Sequence, residues 1–103
     1  MTTPTMDALD LIRKHAAARN LDPFLVAALI GQESTFDAGV RSSANAWGLM
    51  QIVPATWADL RRRSRLGTDP SDPHDNIFAG TAYLREMHDR FGSPGFLAAY
   101  NAG

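Results

Sequence analysis

Apolar side chains recur every three to four residues through most of the chain, which is the spacing of amphipathic helices. This pattern predicts a first helix over about residues 6–19. Its apolar face consists of Met6, Leu9 and Ile12. A second helix is predicted to begin with Asp22 as its N-cap and Pro23 as its first helical residue, a combination that suits a helix start.

Three further helices are predicted in the rest of the chain. The third starts near Pro54 and runs into the arginines of residues 61–65. The fourth has the clearest periodicity, and Gly92 follows it as a C-terminal stop. Its repeating positions are Ile77, Gly80, Leu84, Met87 and Phe91. The fifth begins at Ser93 and Pro94.

Residues 36–47 and 66–73 lack this periodicity, and we expect both to be loops. No segment has the sustained alternation of a β-strand. The predicted fold class is therefore all-α, a compact arrangement of about five helices. A length of 103 residues fits one domain over residues 1–103.

Composition narrows the class of protein further. Hydrophobic residues make up 45% of the chain, which argues against disorder, and no apolar run approaches the roughly 20 residues that cross a bilayer. The net charge of −1 argues against broad binding to polyanions, so no nucleic-acid partner is expected. The chain has no cysteine, which excludes disulfides. Residues 1–7 lack the pattern of an export signal.

Glu33 is the strongest candidate for chemistry. It shares the apolar stripe of the second helix with Leu29 and Ile30. Burial, the like charge of Asp37 and the negative end of the helix would each favour a protonated carboxyl. A glutamic acid that holds its proton near neutral pH is what a general acid requires. The alternative is a glutamate that reaches water or is satisfied by a buried partner.

Three segments carry a resemblance to a known family. Residues 32–36 contain Gln-Glu-Ser, residues 46–56 contain Gly-Leu-Met-Gln, and residues 98–103 read Ala-Ala-Tyr-Asn-Ala-Gly. Together, in this order, they resemble the catalytic domain of soluble lytic transglycosylases, lysozyme-like enzymes that cleave peptidoglycan. The resemblance covers about residues 20–103 and implies a lysozyme-like helical fold.

The resemblance also implies an activity. Glu33 would be the single catalytic carboxylate, protonating the glycosidic oxygen between N-acetylmuramic acid and N-acetylglucosamine. As a base it would then take the proton of the 6-hydroxyl of the muramic acid, which closes a 1,6-anhydro ring. No cofactor is implied. The partner would be the glycan strand, and the location would be periplasmic or cell-wall associated. A place in a cell-wall-spanning assembly is a further expectation.

The matching segments also imply substrate-binding residues. These are Ser42, Met50, Gln51, Tyr100 and Asn101. Each has a structural alternative: Met50 as core filler, Gln51 as a backbone bridge, Tyr100 as a core aromatic, and the other two as turn and cap residues.

The chain departs from the family pattern in three respects. Asn45 stands where members often have glycine, although asparagine tolerates positive φ. Trp47 fills a variable position and could stack on sugar or only pack locally. Family domains usually continue past the Tyr-Asn-Ala-Gly segment, so we expect that the C-terminal part of the usual domain is missing.

Two other functions remain open at this point. The first is a hydrolase on the same scaffold, like goose-type lysozyme, with water as the acceptor and Asp37 as the nearby second carboxylate. The second is a non-catalytic module that binds glycan.

The remaining charged residues are given structural roles. The arginines of residues 61–65 are interpreted as a solvated helix end, and the acidic residues of 69–75 are interpreted as turn and cap residues. The three histidines have no ligand spacing, so no metal is assigned.

Overall fold

The computed structural model describes residues 6–102 and contains four helical elements. They are α1 (Met6–Ala18), α2 (Pro23–Ser34), α3 (Pro54–Ser64) and α4 (Pro73–Ala102). Two non-helical residues, Gly92 and Ser93, divide α4 into segments 73–91 and 94–102. The prediction of an all-α fold with about five helices is therefore confirmed. The predicted position of Met6 on an apolar face lies outside the described side chains.

Local sequence sets the ends of the helices. In α2, the carboxylate of Asp22 accepts a hydrogen bond from the backbone N–H of Phe24 at 2.9 Å, so the predicted N-cap is confirmed. The helix ends at Thr35, whose left-handed backbone returns its N–H to the carbonyl of Gly31. In α4, Gly92 has a φ of 64°, which glycine adopts without steric strain and which stops the first segment as predicted.

The core lies where α1, α2, α3 and α4 meet the loop between α2 and α3. Its largest fully buried apolar side chains are Ile12, Val26, Ile30, Met50, Ile52, Leu60, Ile77 and Leu84. Gly80 belongs to the same face of α4, because a Cβ there would come within 2.7 Å of the Met50 Cβ. Phe91, the last residue of the predicted repeat, is instead 53% exposed, since the chain leaves the helix directly after it.

The loop between α2 and α3 is more ordered than its sequence predicts. Trp47 and Ile52 exchange two backbone hydrogen bonds of 2.9 and 3.0 Å, and Arg41 forms a second β-bridge with Trp47. Asn45 has a φ of 61°, in keeping with the expected tolerance of asparagine for positive φ. Among the described helices, none is long and apolar enough to cross a membrane.

Candidate active site

A cavity of about 210 Å³ opens between α2, the α2–α3 loop, α3 and both segments of α4. Its polar and aromatic lining side chains are Glu33, Ser42, Gln51, Thr56, Tyr83, Tyr100 and Asn101. Five of the six residues predicted for the site are therefore brought together, although they are spread over 69 positions of sequence, from Glu33 to Asn101.

Glu33 is the next-to-last residue of α2 and its side chain is half-buried. Burial raises the pKa of its carboxyl, as predicted, because the charged form loses hydration. Asp37, which the sequence offered as a second cause, does not contribute. Its carboxylate is exposed and accepts the N–H of Gly39 at 2.9 Å, so it shapes a turn outside the cavity lining.

Tyr100 lies on the second segment of α4 and is 5% exposed. Its hydroxyl donates a hydrogen bond of 2.7 Å to the carbonyl of Met50. Its pKa is raised well above the usual value, mainly by burial and then by the negative charge of Glu33 and by Tyr83.

Ser42 and Gln51 are held by the loop that carries them. The Ser42 hydroxyl oxygen accepts the N–H groups of Ala44 and Ala46 at 3.2 and 3.1 Å, which leaves its proton to donate elsewhere. The Gln51 amide donates to two backbone carbonyls at 3.1 and 2.9 Å, so its Oε1 remains to accept. Both residues therefore combine the structural role considered from sequence with one free polar group.

Met50 is the one predicted site residue that the structure leaves out of the cavity lining. Its side chain is fully buried against Gly80 in the core. It reaches the site only through its backbone carbonyl, which accepts the Tyr100 hydroxyl. Asn101, by contrast, is exposed and lines the cavity.

Sequence reasoning did not assign two residues that shape the site. Tyr83 lines the cavity, with its ring centroid 5.3 Å from that of Tyr100. It lies three residues after Gly80, so the helical period places it on the same face of α4 but does not separate a core position from a cavity wall. Asn76 is fully buried behind the loop and forms three side-chain hydrogen bonds of 2.8 Å.

Other features considered from sequence lie outside the cavity. Trp47 does not line it and instead carries the guanidinium of Arg41 at 5.3 Å from its ring centroid. Asp72, His74 and Asp75 form a group of possible ligands, but both carboxylates already accept backbone N–H groups. The helix-end arginine Arg63 is bound by Asp59 and Glu86.

Comparison with known proteins gives a consistent family. The sequence matches the Transglycosylase SLT domain over residues 10–103. It is 42% identical over 89 residues to a transglycosylase of Enterobacteria phage PRD1, covering 85% of this chain and 32% of that protein. It is 33% identical over 101 residues to the soluble lytic murein transglycosylase of Escherichia coli, covering 91% and 16%.

A solved structure has the same fold. The lytic transglycosylase Slt of Pseudomonas aeruginosa, crystallised as an inactive glutamate-to-glutamine mutant, superposes with a TM-score of 0.82 at 33% identity. The match covers 91% of this chain and 16% of that one. The chain thus spans about a third or less of the length of these relatives.

Proposed function

Because this chain belongs to the Transglycosylase SLT domain family, we propose that it is a lytic transglycosylase that cleaves the glycan strands of peptidoglycan. The observation that carries the proposal is the Glu33 carboxyl, half-buried in a cavity, with a raised pKa. The bond cleaved is that between N-acetylmuramic acid and N-acetylglucosamine. The site of action is the periplasm or the cell wall.

Glu33 acts first as a general acid. A carboxyl that keeps its proton near neutral pH can protonate the glycosidic oxygen as the bond to the anomeric carbon breaks. In support, the P. aeruginosa neighbour is inactive as a glutamate-to-glutamine mutant. Replacing a carboxyl by an amide removes the acid proton and changes the side chain's shape very little.

Glu33 then acts as the base of the second step. Most glycosidases use a second carboxylate for this step. Among the described residues, Glu33 is the one carboxylate that lines the cavity. Glu33 therefore takes the proton of the 6-hydroxyl of the N-acetylmuramic acid, while the acetamido group of that sugar assists at the anomeric carbon. That oxygen attacks the anomeric carbon, and a 1,6-anhydro ring closes without consuming water.

The remaining lining residues bind the sugar through the groups that the fold leaves free. Ser42 offers a hydroxyl proton and Gln51 offers a carbonyl oxygen, a pair that suits the hydroxyl and acetamido groups of the substrate. Asn101 supplies an exposed amide at the rim. Tyr100 forms the wall beside Glu33, and Met50 contributes through the backbone carbonyl that holds it.

Substitution of Glu33 tests the assignment. Glu33→Gln is expected to reduce clearing of purified cell walls by about 10²- to 10⁴-fold, the usual contribution of a general acid, while the circular dichroism spectrum is unchanged. Glu86→Gln is the matched control. Glu86 is the only other glutamate, and it pairs with Arg63 away from the cavity. Clearing at the native rate by Glu33→Gln would overturn the assignment.

The products separate this activity from its rivals. Mass spectrometry of digested glycan should show ends that are one water lighter than reducing ends. Reducing ends would indicate a hydrolase with water as the acceptor. Glycan that is bound and left intact by both the native protein and Glu33→Gln would indicate a non-catalytic module.

A further inference from the structure

Asn76 lies in the first turns of α4, behind the cavity and out of contact with solvent. Its side-chain oxygen accepts the N–H of Met50, and its amide nitrogen donates to the carbonyls of Trp47 and Pro70, each at 2.8 Å. A reversed amide would bring N–H against N–H and oxygen against oxygen. The partners therefore fix one orientation of the Asn76 amide.

The loop held by Asn76 connects the two sides of the site. The carbonyl of Leu49 accepts the hydroxyl of Ser34, the residue after Glu33, at 2.8 Å. The carbonyl of Met50 accepts the hydroxyl of Tyr100 at 2.7 Å. Because Asn76 holds the N–H of Met50, it fixes the residue whose carbonyl receives the Tyr100 proton.

We propose that Asn76 is a positioning residue that orients the backbone of Met50 so that the Tyr100 hydroxyl donates to it and not to Glu33. A phenol has one proton to donate. Tyr100 lines the same cavity as Glu33 and is affected by its charge. Once the phenol proton is committed to Met50, the phenol oxygen can act toward that carboxyl only as an acceptor. An acceptor interacts favourably with the protonated carboxyl and unfavourably with the carboxylate. The inference rests on the proposed role of Glu33 as an acid.

The other groups that line the cavity would not mask the effect of Tyr100 on the Glu33 carboxyl. The titratable side chains that line the cavity with it are Tyr83 and Tyr100, and burial raises the pKa of both, so both stay neutral. Within the described lining there is no arginine, lysine or histidine to offset the burial of the carboxyl. Because no charged group in this lining outweighs it, the direction of the Tyr100 proton is expected to change the ionisation of Glu33.

The chain offers a direct measurement, because it contains only two glutamates. With carboxyl-¹³C glutamate, NMR titration of the protein without substrate gives two side-chain signals, and Glu86→Gln assigns them. The test variants are Asn76→Ser and Asn76→Ala, which both remove the amide and with it the acceptor for the N–H of Met50. Folding of each variant is checked by circular dichroism at low temperature.

In both variants the loop is released and Tyr100 can turn its proton to the carboxylate. The Glu33 titration is expected to move to lower pH by about one unit, the size of one hydrogen bond to a charged group. The high-pH limb of the rate profile should move the same way, because the acid loses its proton earlier. Adding Tyr100→Phe to either variant should return the Glu33 titration toward that of Tyr100→Phe alone.

Three results would overturn the proposal. They are an unchanged Glu33 titration in folded Asn76 variants, a shift that persists in the double variants without the phenol, and unfolding of the domain by every Asn76 substitution. Failure of the proposed function is a separate result, since it is read from the activity of Glu33→Gln and not from the titration.

Discussion

The first turns of α4 lie beside two buried polar side chains that are treated differently by the fold. Asn76, on α4 itself, is fully buried and has three hydrogen-bond partners. His15, on α1, is 4% exposed and packs against the rings of His74 and Phe78, with its Nε2 buried and unpaired. Asn76 and its backbone partners at Met50, Trp47 and Pro70 form a polar junction behind the cavity. His15, His74 and Phe78 form an aromatic contact between α1 and α4.

The two contacts differ in how narrowly they fix the positions of the groups that they join. An aromatic contact packs well over a range of small displacements, because dispersion forces are not directional. Three hydrogen bonds from one amide allow a single arrangement, because each has a narrow range of distance and angle. The polar junction is found where the chain must hold a loop in one conformation, next to the candidate acid.

The largest expected effect is the loss of the polar junction. Asn76→Ala should lower the free energy of unfolding by about 3 kcal/mol, since three buried backbone groups lose their partner. Urea denaturation measures this loss. Asn101→Ala is the control, because the same change at an exposed position should stay within about 0.5 kcal/mol. Equal losses at the two positions would contradict the special role of the junction.

Much of the fold could be predicted from the sequence because it is set by local patterns. The Asp22–Pro23 helix start, the stop at Gly92 and the positive φ of Asn45 each depend on neighbouring residues, and the structure agrees with them. The direction of the Glu33 pKa shift could also be predicted, since the apolar stripe of α2 implies burial. Its role as the acid stays a prediction.

The junction could not be predicted in this way. Asn76 and Met50 are 26 positions apart, and nothing local to either residue indicates that they pair. A similarly long separation lies between Met50 and Gly80, whose missing Cβ leaves room for the Met50 side chain, so the sequence left Met50 open between a core role and a substrate contact. Tyr83 was overlooked because an aromatic residue on a helix has the same pattern in a core and in a cavity wall.

Two glycines with positive φ provide a second test of the role of the polar junction. Gly48 has a φ of 76°, and a Cβ there would lie 2.9 Å from the Asn76 Cγ. Gly92 has a φ of 64° but an added Cβ would meet nothing within 4 Å.

Gly92→Ala should therefore lower the free energy of unfolding by about 1–2 kcal/mol from backbone strain alone, because a φ of 64° with a ψ of −176° is a conformation that essentially only glycine adopts. Alanine at Gly48 should lower it by about 2–3 kcal/mol, because it also presses on the junction. Urea denaturation of the two variants side by side measures the difference. Equal losses of unfolding free energy in the two variants would mean that the side chain of Asn76 moves aside for the added methyl group at no cost.

The smallest expected effect is at the aromatic contact, and it depends on pH. Burial lowers the pKa of His15, and the charges of His74, Lys14 and Arg19 lower it further. As pH falls below about 6.5, the unfolded chain takes up this proton before the folded one does. Stability should therefore fall with pH until the folded-state pKa is reached, by at most about 1.4 kcal/mol per pH unit for one proton.

His15→Leu should remove this part of the pH dependence, because leucine fills the contact without a titratable nitrogen. The measurement is the free energy of unfolding at several pH values between 5 and 8, for the native chain and the variant. Ile12→Val, one turn earlier on α1 and also buried, is the control: it should lower stability by about 1 kcal/mol at every pH. If the free energy of unfolding of His15→Leu depends on pH as strongly as that of the native chain, His15 is not the acid-sensitive group. The aromatic contact and the polar junction would then differ in packing and not in their response to pH.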